Sequence, residues 1–482
     1  MSQAIEGSAR PVAPGTANEP TPPASEENAR REDAATLLQR IARGNVLVVV
    51  LAFVFAFLIG SILILVASAE VRAAAGYLFA RPADTFRAAW DAITGAYAAM
   101  FRGSVFDLQG FTRVREDLES RGGSGSYVWG PALLRGFKPL LETLTVATPL
   151  IIASIGMAVS FRSGLFNIGG TGQLIVGAVA AGFVGFAVSL PPVIHVLVCI
   201  AAAIIAGGLY GGLAGFLKAR FGASEVITTI MLNWIAVYGL AYALTTSAFT
   251  GANKAQPTSP SVGENAVLPL IAGSQNRLHL GLLIAVLAAV FLWWLMSRSA
   301  MGFRFRAVGS NPRAAEVAGI DVGRSAIGVM FAAGALVGLA GGVHILGTEH
   351  RLTGNVAGSI GFDAITVALL GRSGPLGIVL AGILFAGLST GGRFMESNQS
   401  VPLDLVQVIQ ALVVLFIAAP PLVRYLVGLR SVDRPGAPRA RGRRAASPAA
   451  AAPAPSGSSA APASSSAPEP RSAGTDTKGG TA

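Results

Sequence analysis

Lysine occurs only four times in the 482 residues, at 138, 218, 254 and 478, and none of the four follows a glycine. The pattern G-x-x-x-x-G-K-[ST] therefore cannot be completed, and the chain has no Walker phosphate loop with which to hold ATP. One cysteine, Cys199, excludes an intrachain disulfide and a thiolate metal site. The four histidines, 195, 279, 344 and 350, form no H-E-x-x-H. Charged residues make up only 13% of the chain, against 52% hydrophobic residues. Together with a mean hydropathy of +0.60, that scarcity excludes an ordinary soluble domain and identifies an integral membrane protein.

The apolar residues are grouped in runs long enough to cross a bilayer. The first, 46–69, follows Arg40 and Arg43 and at about 1.5 Å per residue spans a hydrocarbon core. Because a long polar segment precedes it, this run is read as a span and not as a cleaved signal peptide. The sequence predicts an all-α, polytopic membrane protein of ten passes: 46–69, 139–160, 164–188, 192–216, 226–247, 279–296, 326–347, 361–371 with upstream residues, 375–391 and 403–423. The flanks, 1–45 and the Pro/Ala/Ser-rich tail 431–482, lack the apolar surface to offset their ordering entropy and are expected to be disordered.

The formal net charge of +11 is unevenly placed. Arginines 424, 430, 434, 439, 441, 443 and 444 follow the last run, and arginines 298, 304, 306, 313 and 324 cluster in the segment 298–325. By the positive-inside rule both regions, and both termini, are expected in the cytoplasm, with 70–138 as an external loop of the permease domain 46–430. No aromatic pattern or binding fold accompanies the arginines, so nucleic acid is not an expected partner.

Two passes are poor continuous helices: GLFNIGGTGQ (164–173) and GFDAITVALLGRSGPLG (361–377). Interrupted spans in both halves of a transporter point to a translocation pathway, although glycines also serve close helix packing. Asn167, Gln173, Asn233, Trp234 and Asp363 are the polar or stacking residues in or beside these segments, and they are the candidate pathway residues. Glu142 and Glu225 fall near expected helix starts, where the helix dipole stabilises an anion. His344, Glu349, His350 and Arg351 are read as a cluster at the external boundary.

The stretch RAVGSNPRAAEVAGIDVGRS (306–325) encodes a short cytoplasmic helix. Asn311 is a good N-cap, Pro312 suits the first helical position and Gly319 can close the helix left-handed. Between them Arg313, Ala314, Ala315, Glu316, Val317 and Ala318 offer small packing residues and two charges.

Four segments, GLFNIGGTGQLIVGA (164–178), SEVITTIMLNW (224–234), FRAVGSNPRAAEVAGI (305–320) and GFDAITVALLGRSGPLG (361–377), occur in an order similar to that of a known family. The chain resembles, over 139–425, the permease subunits of bacterial ATP-binding cassette (ABC) importers for simple sugars and nucleosides. Its closest resemblance is to nucleoside permeases paired with basic-membrane-protein-type lipoproteins. The resemblance implies a subunit of the cytoplasmic membrane that is not itself an enzyme. ATP and magnesium would be bound by a partner ATPase, into which the helix at 312–318 docks as a coupling helix. A second permease, identical or related, and an extracytoplasmic substrate-binding lipoprotein are the other implied protein partners. The family usually carries a glutamate where Thr171 stands and an asparagine where Ser224 stands, which leaves the substrate open. The alternatives are a branched-chain amino acid permease of the same architecture and, in a different class, an ion-coupled secondary carrier. Paired carboxylates deep in the spans, which a carrier would use, are absent from the sequence.

The lysine census yields a direct expectation: the purified chain alone neither binds nor hydrolyses ATP. Equilibrium binding of a labelled nucleotide checks this, and stoichiometric uptake of label by the isolated chain would contradict it.

Overall fold

A computed structural model describes residues 45–123, 125–250, 257–273, 275–399 and 401–419, with 422–423 and 426 beyond them. The flank expected at 1–45, save its last residue, and the tail 431–482 lie outside the described residues. Helix α1 (Asn45–Ala67) is followed by α2 (Ala69–Ala75), α3 (Pro82–Ser104) and α4 (Leu108–Ser120). The bundle continues with α5 (Ser126–Arg162), α6 (Gly170–Ala187), α7 (Pro192–Phe221), α8 (Glu225–Ala243) and α9 (Gly281–Arg298). Two short helices, α10 (Ala300–Ser310) and α11 (Pro312–Val317), lead to α12 (Val322–His344), which a π-turn prolongs to Glu349. The last three helices are α13 (Ile360–Leu370), α14 (Pro375–Gln399) and α15 (Leu403–Ala418). Among the described residues the only β pairing is a bridge between Leu270 and His279.

Eight of these helices are long and apolar enough to cross a membrane, and two shorter apolar ones fall within α13 and α15. Together they account for the ten expected passes, and the chain is an all-α, multi-pass membrane protein. The core lies where α12 packs against α5, α6 and α7. Lipid tails supply no hydrophobic drive between helices, so close backbone approach and dispersion must hold this contact. Small residues make it possible: a Cβ on Gly207 would stand 2.5 Å from Gly338 Cα, and one on Gly215 2.8 Å from Ile327 Cα.

The region 70–138 is not a loop. It folds into α2, α3, α4 and the start of α5, which begins at Ser126, well before the span expected from 139. In α3 the buried positions Ala96, Ala99, Met100 and Gly103 recur with helical spacing. That face runs against α14, with Gly95 beside Gln399 and Gly103 beside Phe394. Tyr97 Oη donates to the Phe57 carbonyl at 2.6 Å, joining α3 to α1. Because α5 starts early, Glu142 sits inside a helix and not at its N-terminus. Its carboxylate is paired instead with Arg277 at 3.1 Å. Glu225 does open α8, as expected, and lies 2.6 Å from Lys218 at the end of α7.

The connection before α9 folds back over the ends of α6 and α12. Gly263 N donates to Gly185 O at 2.8 Å, Leu268 N to Leu346 O at 3.0 Å and Val262 N to His350 O at 2.9 Å. His279 is fully buried there, accepting from Gly281 N at 3.1 Å through Nδ1 and facing Thr348 Oγ1 at 3.2 Å through Nε2. Because Nδ1 accepts from Gly281 N, the ring proton sits on Nε2 and is donated to Thr348 Oγ1. Of the expected boundary cluster, His344 and Glu349 approach to 3.8 Å.

The small-residue contact predicts a sharp asymmetry between two glycines. Gly338→Leu, which forces a side chain into α7 at 2.8 Å from Gly207 Cα, should cost on the order of 1–3 kcal/mol or more through overpacking. Gly239→Leu, with nothing within 4 Å of its new Cβ, should leave the thermal midpoint of the detergent-purified protein nearly unchanged. Equal midpoints for the two variants would contradict the packing account.

Candidate functional site

The first glycine-rich segment opens with a break, whereas the second, 361–377, is helical through α13 and interrupted at 371–374 before α14; a further break, upstream of α13, meets the first. Gly164 to Gly169 is not helical, and α6 begins only at Gly170. On the other side, the chain from His350 to Ser359 forms turns before α13 starts at Ile360. A Cβ on Gly361 would lie 2.6 Å from Thr171 Cα, and one on Gly170 2.7 Å from Gly361 O. The N-termini of α6 and α13 therefore abut, bringing together two sets of backbone N–H groups without intrahelical partners and two positive dipole ends. Thr171 Oγ1 is buried there with no hydrogen-bond partner among the described residues.

Three of the five candidate pathway residues gather at the first break. Asn167 Nδ2 donates to Gln173 Oε1 at 3.0 Å, while Gln173 Nε2 donates to Asn167 Oδ1 at 3.1 Å. The same Asn167 oxygen accepts from Gly169 N at 2.9 Å. From α8, Asn233 Oδ1 accepts from Gly172 N at 2.8 Å and Nδ2 donates to Ile168 O at 2.9 Å. Thr229 Oγ1 completes the set by accepting from Ile168 N at 3.3 Å. Asn167, Gln173 and Asn233 are all buried; the Asn167 and Asn233 amides satisfy backbone that the missing helical turn leaves unpaired, and Gln173 holds the Asn167 amide in place. Trp234, the next residue on α8, is exposed and stacks on Tyr238 at 5.9 Å.

Asp363 occupies a different place. It lies in the first turn of α13, accepts from Ser359 Oγ at 2.6 Å and lines a cavity of about 510 Å³ between α13, α14 and α15. Ser359, Thr366, Ser389, Gln407 and Gln410 line the same cavity, together with Phe385. The two glutamines escaped the sequence reading, although polar residues at i and i+3 in the apolar run LVQVIQALVV were a visible signal. A carboxylate, hydroxyls and amides around an aromatic edge suit a polar ring compound. Among the described residues no group of three or more His, Cys, Asp or Glu side chains could hold a metal ion.

A second element lies at α10–α12. Asn311 Oδ1 accepts from Ala314 N at 3.1 Å, Pro312 opens α11, and Gly319 follows with φ +79°. These features are the capped, left-handedly closed helix that the sequence predicts, with Ala318 as its C-cap. Its faces differ from the expected packing surface in one respect. Ala315 is buried against its own chain, whereas Arg313, Ala314, Glu316 and Ala318 are exposed and Val317 is 91% exposed. A groove of about 810 Å³ runs beside the helix, bordered by Arg304, Asp321 and Arg324.

A family model described as branched-chain amino acid transport system / permease component matches residues 140–418. The guanosine ABC transporter permease protein NupP of Bacillus subtilis (strain 168) is 39% identical over 288 residues, covering 60% of this chain and 83% of the relative. The glucose ABC transporter permease protein TsgB13 of Haloferax volcanii is 36% identical, covering 62% of this chain and 80% of the relative. The nucleoside ABC transporter permease protein NupB of Lactococcus lactis subsp. cremoris (strain MG1363) is also 36% identical, over 59% of this chain and 80% of the relative. No solved structure gives a significant match.

The amide arrangement predicts that Asn233→Leu destabilises the bundle. It would leave Gly172 N–H and Ile168 C=O unpaired at membrane depth, at about 1–3 kcal/mol for each buried group. Trp234→Leu, on the exposed face, should shift the thermal midpoint little. Equal midpoints for Asn233→Leu and the unaltered protein would show that the break is held by something else.

Proposed function

The chain belongs to the branched-chain amino acid transport system / permease component family, and from that premise we propose that it forms the membrane pathway of an ATP-driven importer for a nucleoside or simple sugar. It is a transport subunit and not an enzyme. The observation that carries the reading is the cavity between α13, α14 and α15, where Asp363, Ser359, Thr366, Ser389, Gln407 and Gln410 stand among apolar residues such as Phe385, Val406, Val414 and Leu415, close to the start of α13. Asp363, Gln407 and Gln410 would hydrogen-bond the substrate's hydroxyl or ring groups, with Phe385 offering an aromatic contact. Asn167, Gln173 and Asn233 would act at one remove, by holding the break open.

ATP and magnesium would be bound by a separate ATPase subunit, a reading that the missing phosphate loop supports. Helix α11 would be the coupling helix that docks into it, presenting Arg313, Ala314, Glu316, Val317 and Ala318. A second permease and an extracytoplasmic binding protein would complete the importer. The arginine distribution supports cytoplasmic termini and a cytoplasmic segment 298–325, with α2–α4 outside. The relatives named for guanosine, glucose and nucleosides support the substrate class. The family description also covers branched-chain amino acids, and a competition assay separates these substrates.

Reconstitution with the ATPase and binding protein in proteoliposomes tests the proposal. Asp363→Asn and Gln410→Leu should each lower ATP-dependent nucleoside or sugar uptake by about tenfold, the equivalent of one lost hydrogen bond, without loss of the complex. Val317→Glu should insert normally but fail to co-purify with the ATPase, because an unpaired charge at an interface centre is strongly unfavourable. Full uptake by the first two variants would remove the cavity from the pathway. Retained co-purification and transport by Val317→Glu would remove α11 from the coupling interface.

A further inference from the structure

We propose that a cationic pocket at the outer ends of α5 and α14 binds the phosphate headgroup of an anionic phospholipid. The pocket has a volume of about 440 Å³ and is lined by Arg135 and Lys138 of α5 and Arg393 of α14, with Phe394 in its wall. Two acids, Asp107 and Glu142, also line it. Glu142 is already committed to Arg277 at 3.1 Å, which leaves Asp107 as the remaining carboxylate facing three cations. Among the described residues none of the three cations lies within ion-pair distance of a carboxylate. The surplus positive charge calls for an anion.

Depth identifies which anion. The apolar part of α5 extends inward from about residue 139, and that of α14 ends near 391. Lys138 and Arg393 therefore stand where both helices leave the hydrocarbon layer, at headgroup level. One turn further in, Thr143 Oγ1 and Thr390 Oγ1 lie 2.9 Å apart and fix the two helices together. At that depth the anion at hand is a phospholipid phosphate, which would sit among the three cations. Arg135, Lys138 and Asp107 precede the family-matched residues 140–418, whereas Arg393 lies within them.

The test uses the full-length chain purified in a neutral detergent, with lipid retention read by native mass spectrometry. Phosphatidylglycerol should be retained and should raise the thermal midpoint, while phosphatidylcholine and inorganic phosphate should do neither. Lys138→Gln with Arg393→Gln should reduce phosphatidylglycerol retention at least fivefold. The charge-preserving pair Lys138→Arg with Arg393→Lys should keep it, which separates loss of charge from loss of fold. Equal retention by the neutralised and unaltered proteins would overturn the proposal. So would stabilisation by inorganic phosphate without lipid retention, or loss of binding-protein association in the neutralised variant with lipid retention unchanged.

Discussion

Backbone polar groups at membrane depth must find partners inside the protein, because hydrocarbon offers none. This chain has non-helical stretches at 164–169, ahead of α6, and at 350–359, ahead of α13, and its organisation follows from satisfying what they expose. At the first, side chains replace the missing helical turn: the Asn167 amide, held by Gln173, from the segment itself, and the Asn233 amide and Thr229 hydroxyl from α8. The reward is geometric. Two helices start beside one another, with Asp363 two residues from the junction residue Gly361 and in the lining of a cavity that mixes polar and apolar side chains.

Such a junction needs a rigid frame. Glycine contacts bring α7 and α12 close enough for backbone atoms to approach, and α5, the longest helix, runs beside both α12 and α13. Helix α11 stands out from the bundle with its Val317 uncovered, yet it joins α12 through only a short turn and follows α10, whose Gly309 packs against Gly164 at the first break. On the proposed reading, an ATPase docked on α11 would act through these contacts on the helix that packs against α5, α6 and α7.

Much of this was legible because the signals are local. Asn311, Pro312 and Gly319 define α11 through backbone chemistry within a few residues, and glycines with Pro375 mark the breaks. Apolar runs gave the ten passes. What escaped depends on tertiary contact. Asn167, Gln173 and Asn233 read equally well as pathway or packing residues, and only the structure shows the two asparagine amides turned to the backbone and Gln173 turned to Asn167. Ala315 and Val317 are both small or apolar members of one helix, but the neighbouring α10 and α12 decide which is covered. The outer helices α3 and α4 mix charge with apolar residues, so hydropathy alone reads them as a loop, although Ala96, Ala99, Met100 and Gly103 carry the helical period. Gln407 and Gln410 became candidates only when α13 and α14 were seen to face them across the cavity.

The central claim is that this cavity is a water-accessible route whose exposure changes with the state of the ATPase. Ser389 lines it and is close to cysteine in size, and Cys199, the sole native thiol, is buried. The most direct measurement is the labelling rate of Ser389→Cys, in a Cys199→Ala background, by a membrane-impermeant thiol reagent in the assembled transporter. The account predicts a rate that changes at least fivefold between the nucleotide-free and ATP-bound states and falls when substrate is added. A site that never reacts with the impermeant reagent, yet reacts with a lipid-soluble one at the same rate in every state, would mark the cavity as a lipid-facing crevice and contradict the account.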